Sequence, residues 1–273
     1  MRALEKPHYL PDFDRLSIVA ATLLLAFALA RLINFPVSRL AFQLPGLFVS
    51  LQIDLRTLIA FLVAGQAAAG ADWLVSDHPG LGKQLRIEHW LIPMLTAWTI
   101  GILIFQLPLG TIWWAGFALG VTILMLVLVA EYIVVDSEDA LQPVASAGLT
   151  VVSFSLYLIL AASLRYANLR LFLILPALTL AAWLICLRTL HLRLHGQWVL
   201  LPAGIVAVII GQLVAAFHYL PLPAVSYALA LTGAVYSLTS LMGSLIEGVE
   251  LRKAWIEPVV VLVILWIIAF LIR

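Results

Sequence analysis

The sequence predicts an all-α, polytopic integral membrane protein, a bundle of about nine transmembrane helices forming a single domain over residues 1–273. Three observations carry that expectation. Hydrophobic residues make up 64% of the chain and charged residues 11%, against about 25% charged in an average soluble protein, which is more apolar surface than a water-soluble core can hide. The apolar residues fall in runs of about twenty, the length a helix rising about 1.5 Å per residue needs to cross a hydrocarbon layer about 30 Å thick. Almost every charge lies between the runs, where water or lipid headgroups can solvate it.

The first run, Leu16 to Phe35, follows a stretch carrying Glu5, Asp12 and Asp14 beside Arg2, Lys6 and Arg15. Ala28-Leu29-Ala30 resembles a signal-peptide cleavage site, but the mixed charge of that stretch favours a retained membrane helix. Next comes a stretch too short to span as a helix, residues 36–54, where Phe42, Leu47, Val49 and Leu51 interleave with Gln43, Pro45, Ser50 and Gln52. It reads as a short interfacial or re-entrant segment, tolerated where the protein satisfies its backbone polar groups. The remaining spans run from Leu55 to Leu74, Glu88 to Leu107, Leu109 to Val134, Val144 to Leu164, Leu169 to Leu187, Trp198 to Phe217, Leu222 to Leu245 and Ala254 to Ile272. Pro202 and Pro223 suit helix starts, whereas Pro176 lies deeper in its span and is a candidate kink.

Small residues at helical spacing predict close helix packing, since lipid supplies no hydrophobic drive for association. Gly116 and Gly120 form a GxxxG element, Ala203, Ala207, Gly211 and Ala215 continue the pattern, and Gly65, Ala67, Ala69 and Ala71 repeat it in the second span. The eighth span carries a polar stripe of Ser226, Gly233, Ser237, Ser240, Ser244 and Glu247. Such a stripe faces protein or a wet cavity rather than lipid.

Lysine and arginine set orientation. With nine spans, the side of the N-terminus holds Arg2, Lys6, Arg15, Lys83, Arg86, Arg188, Arg193, Arg252 and Lys253, and the opposite side Arg31, Arg39, Arg56, Arg165, Arg170 and Arg273. This bias favours a cytoplasmic N-terminus in a multi-pass protein of the cell membrane, with Arg165 and Arg170 read as snorkelling exceptions. The carboxylates are more lopsided still: all but Asp54 fall on the N-terminal side, with His8, His78, His89, His191 and His195, leaving His218 on the other.

Hairpin geometry brings Asp72, Arg86, Glu88, His89 and Glu131 near one level, forming the candidate polar cluster. Glu88 and Glu257 begin helices, where capping and the positive dipole end explain a carboxylate. Asp72, Glu131 and Glu247 sit near helix C-termini, where the dipole opposes them and partners are needed, with Lys83, Arg86, Arg188 and the histidines as candidates. A structural ion-pair network is one reading and a catalytic or binding site the other. A divalent metal held by Asp72, His89 and Glu131 is its sharper form, though no compact ligand motif supports it. His191 and His195, at i and i+4, either chelate a metal or belong to a basic interfacial helix end beside Arg188 and Arg193.

No organic cofactor is expected. Retinal would need a lysine deep in a span, bis-histidine haem would need facing histidines, and the deep polar inventory is Gln66, Gln212, Tyr157, Tyr236, serines and threonines rather than ionisable groups. The single Cys186 permits no internal disulfide. Expected partners are the lipid bilayer and other membrane subunits or further copies of the chain, with no nucleic-acid motif present. Three functions fit: a non-catalytic assembly or scaffold component, an interfacial enzyme on a lipid or polyprenyl substrate using the Asp/Glu/His cluster, and a carrier of an uncharged or amphiphilic solute along the polar face of the eighth span, past Gln212 and Ser237.

Overall fold

A computed structural model describes residues 11–32, 38–44, 47–53, 55–76, 87–136, 139–194 and 196–272. Apart from one hairpin the architecture is all-α. In chain order it comprises α1 (Phe13–Leu32), β1 (Ser38–Leu44), β2 (Leu47–Ile53), α2 (Leu55–Val75), a 3₁₀ turn (Ile87–Trp90), α3 (Leu91–Gln106), α4 (Thr111–Val134), α5 (Gln142–Tyr166), α6 (Leu171–Arg193), α7 (Leu200–His218), α8 (Ala224–Ile246), α9 (Leu251–Ala254) and α10 (Ile256–Leu271). Among the described residues eight helical segments are long and apolar enough to cross a membrane, counting the 3₁₀ turn with α3 and α9 with α10. The 20-residue α1 has matching length.

Within the segment 36–54, expected to be interfacial or re-entrant, the described residues form a β-hairpin of β1 and β2. The strands are antiparallel and pair Phe42 with Val49, Leu40 with Leu51 and Arg39 with Gln52, so their alternations run in phase. Period-two patterning is the physical signal of a strand, and a Pro-Gly pair between two such runs is a turn signal.

The chain divides into two compact units, Met1–Asp139 and Ala140–Arg273. In the first, Leu23 and Phe27 of α1, Ala67 and Leu74 of α2, Ala97 and Ile104 of α3 and Leu128 of α4 share one buried cluster. Glycines set its closeness. A Cβ at Gly120 would lie 2.9 Å from Ile100, and one at Gly101 would lie 3.0 Å from Phe27. In α2 the buried members of the small-residue set are Ala67 and Ala71, whereas Gly65 and Ala69 point outward with open space at Gly65.

The second unit is organised around α8, which packs against α5, α6, α7 and α10. The polar stripe is thereby enclosed: Ser226, Ser237 and Ser244 are buried, Ser237 Oγ donates to Pro258 O at 2.8 Å, and Gly233 gives room to Leu265. Trp266 Nε1 donates across the same interface to Ala230 O. The most polar span of this unit is thus the most enclosed one, and α10, in which only Pro258 and Ala269 are buried, belongs to the most apolar. In lipid that division is required, because only a helix surrounded by protein can satisfy side-chain polar groups. Gly248, at φ +80°, closes α8 in a Schellman arrangement, Val249 N–H reaching Ser244 O and Gly248 N–H reaching Leu245 O.

Two expectations are corrected here. α6 runs to Arg193 rather than ending at Leu187, which carries Arg188 and His191 into the helix, both buried. Arg165 is no simple snorkelling exception: from the last turn of α5 it donates to the carbonyls of His218 and Leu220, each at 3.0 Å, capping α7, and stacks over Tyr227. A cation there offsets the negative end of the helix dipole.

Candidate functional site

Of the predicted acid and histidine cluster, His89 and Glu131 meet in the first unit. His89, lifted into the interior by the 3₁₀ turn, donates from Nδ1 to Glu131 Oε2 at 2.8 Å, with Glu131 fully buried near the end of α4. Trp90, the next residue, donates from Nε1 to Asp72 Oδ1 at 3.0 Å near the end of α2. Glu88 opens the same turn and is buried. Adjacent residues of one turn therefore engage the two carboxylates that the helix dipoles leave unsupported. Arg86 and Lys83 lie outside the described residues. Asp72 faces an indole rather than His89 or Glu131, and among the described residues no three His, Cys, Asp or Glu side chains converge in a way that could hold a metal ion.

At the end of α6, Arg188 is 1% exposed and donates from Nη1 to His191 Nδ1 at 3.3 Å, while the His191 ring lies 4.7 Å from that of Trp198. The expected basic interfacial helix end thus turns inward for Arg188 and His191. One turn separates them, so the histidine Nδ1 accepts from a guanidinium that can only donate. His195 lies outside the described residues.

A second polar site, which sequence reasoning missed as a unit, forms where α5, α6 and α8 meet. Arg193 makes a two-pronged pair with Glu247, Nε to Oε1 and Nη2 to Oε2, both at 2.7 Å, and also donates to Ser244 Oγ and Ser240 O. These bonds use four of its five N–H donors and leave one on Nη1. Gly243 makes room for the guanidinium, since a Cβ there would lie 2.8 Å from Nη1. Glu257, expected as a capping residue in the first turn of α10, also reaches α8, accepting from Tyr236 OH at 2.6 Å and Ser240 Oγ at 3.1 Å. Glu247 finds its partner in Arg193 rather than in Arg188 or a histidine.

Beside this network lies a cavity of about 300 Å³ whose wall includes Ser146, Thr150, Phe154, Thr189, Arg193, Tyr236 and Thr239. Thr239 is 2% exposed, and its Oγ1, like that of Thr189, has no oxygen or nitrogen partner among the described residues. The signal for this site was split across the sequence. The α8 stripe was legible, but Thr189 and Arg193 sit past the expected end of their span, and Ser146 and Thr150 read as ordinary span residues. Of the two residues expected along a carrier path, Gln212 faces outward and Ser237 is buried against Pro258.

No curated protein and no solved structure matches the chain. A family model described as "Protein of unknown function (DUF5656)" matches residues 33–272, a stretch that takes in the hairpin, the acid and histidine cluster and the α5–α6–α8 cavity. The chain belongs to that family.

Proposed function

We propose that this multi-spanning membrane protein is a non-catalytic binder, and in function a carrier, of an uncharged amphiphile, held with its polar head among the hydroxyls of α5, α6 and α8. The carrying observation is the cavity itself, whose wall brings Ser146, Thr150, Thr189 and Thr239 together beside Arg193 and Tyr236. Its volume accommodates roughly ten groups of about 30 Å³, the share of one water in the liquid, which suits a head and the first few carbons of a chain. Arg193 against Glu247 and Glu257 leaves the rim with one net negative charge. An anionic head is therefore disfavoured, and a hydroxyl or amide is favoured. The acid and histidine cluster supports this reading by contrast, because its described polar groups are turned on one another rather than toward an opening.

The test is photolabelling of the full chain in lipid nanodiscs with a diazirine-bearing long-chain alcohol. Labelling of Phe154, Tyr236 or their neighbours, competed by a plain long-chain alcohol but not by the matching alkyl phosphate, is expected. Ala147→Phe, at an outward position in the cavity wall, should abolish it without unfolding the protein. Labelling spread over outward faces and insensitive to Ala147→Phe would remove the reading. We place the protein in the cell membrane with the Asp139 connection cytoplasmic and the Tyr219 connection outside, on the lysine and arginine bias. Impermeant labelling of single cysteines at these two positions, in a Cys186→Ser background, should follow that order.

A further inference from the structure

Helix α7 buries Ala203, Val206, Ala207, Ile210 and Val214 within its unit. Its outward residues form a second line. Leu201, Ile205, Val208, Gln212, Ala216 and Tyr219 are exposed, giving spacings of four, three, four, four and three. These spacings put the six on one continuous face of the helix, a seam on the side turned away from the residues it buries in its own unit. Beside Leu201 and Ile205 the backbone is bare at Gly204, where a Cβ would meet nothing within 4 Å, and Leu200, Leu201, Gly204, Ile205, Val208 and Ile209 line a shallow recess.

Gln212 decides what covers the seam. It is the thirteenth of 19 residues in α7, which puts it about 9 Å from the nearer helix end at about 1.5 Å per residue. A side chain with two methylenes cannot snorkel that far to water. Among the described residues its amide makes no hydrogen bond, and an exposed amide in hydrocarbon is costly. A purely lipid-facing surface has no use for it. The amide is also self-complementary, offering donors and an acceptor, so the partner that satisfies it with least new chemistry is another Gln212 across a two-fold axis.

We propose that the outward face of α7 is a homodimer interface within the membrane, two copies pairing Gln212 with Gln212 along the Leu201–Tyr219 seam. The test uses the full chain with Cys186→Ser, reconstituted in liposomes at high dilution. Single cysteines at Ile205, Val208 and Ala216 should form intermolecular disulfides on mild oxidation, while a cysteine at the off-seam Leu213 should not. Gln212→Leu should lower the dimer fraction about tenfold, through loss of a pair of interhelical hydrogen bonds, and Gln212→Asn should retain most of it. Because Gln212 faces outward, both variants should keep the wild-type melting temperature, which separates lost pairing from lost folding. Monomers at every dilution, cross-links without the three-and-four phase, links from the seam to the first unit of the same chain (to a cysteine at Gln66, for example), or a different polypeptide captured by the seam would each overturn the proposal.

Discussion

The two polar sites each engage a carboxylate near a helix C-terminus, under opposite conditions. In the first unit Glu131 is fully buried against His89, and Asp72 accepts from the Trp90 indole. In the second, Arg193 and Glu247 are each about one third exposed and stand beside a cavity walled in part by serines and threonines. A buried pair contributes mainly by what its loss would strand, because both partners have already forfeited water. A half-exposed pair can be rearranged cheaply. The difference teaches that the more deeply buried charges are the ones closed on a partner, while the partly exposed pair is the one that borders a cavity.

Breaking the buried pair should have the largest effect. Glu131→Gln should cost about 3 kcal/mol or more, since it weakens a partner His89 that cannot reach water. A cycle with His89→Gln should show coupling of about 1 kcal/mol or greater in detergent unfolding. Independent, additive effects would mean the cluster is no tighter than the Arg193 site and would dissolve the contrast.

Helix approach should come next. Gly120→Leu drives a side chain into Ile100, and Gly211→Leu drives one into Thr179. Each should destabilise by about 1 to 3 kcal/mol, whereas Gly65→Leu, facing open space, should stay within about 0.5 kcal/mol. Melting temperatures of the three variants check this ordering.

The smallest stability effects sharpen the comparison from its open side. Arg193→Gln should cost about 0.5 to 1 kcal/mol, as a partly exposed pair does, yet it should weaken photolabelling of the cavity several-fold. Asp72→Asn keeps an acceptor for Trp90 and should also stay within about 1 kcal/mol, while Trp90→Phe, which removes the donor, should cost about 1 kcal/mol. An Arg193→Gln protein with unchanged labelling would detach the ion pair from the cavity's function.

The number, length and order of the spans were legible in the sequence because hydrocarbon thickness imposes a fixed length and excludes charge, two constraints that act residue by residue. The meeting of His89 with Glu131 was legible for a related reason, short connections forcing antiparallel neighbours, whereas the Trp90 indole as partner of Asp72 was not. The hairpin was half-legible. Its alternation of Phe42, Val49 and Leu51 with Gln43, Ser50 and Gln52 carries the strand period, but in a chain dominated by spans its brevity suggested an element lying on the bundle.

Tertiary structure alone decided which carboxylate meets which partner and which small residues face inward. Gly65 and Ala67 share one motif, and only packing distinguishes the outward one from the buried one. Arg193 belongs to a site because α6 continues past Leu187, because Gly243 leaves space for a guanidinium, and because Glu247 lies across from it on another helix. Sequence fixes depth along each helix, since depth follows from rise per residue. Rotation about each helix axis follows from long-range contacts, and rotation is what sets a polar group against a partner, a cavity or lipid.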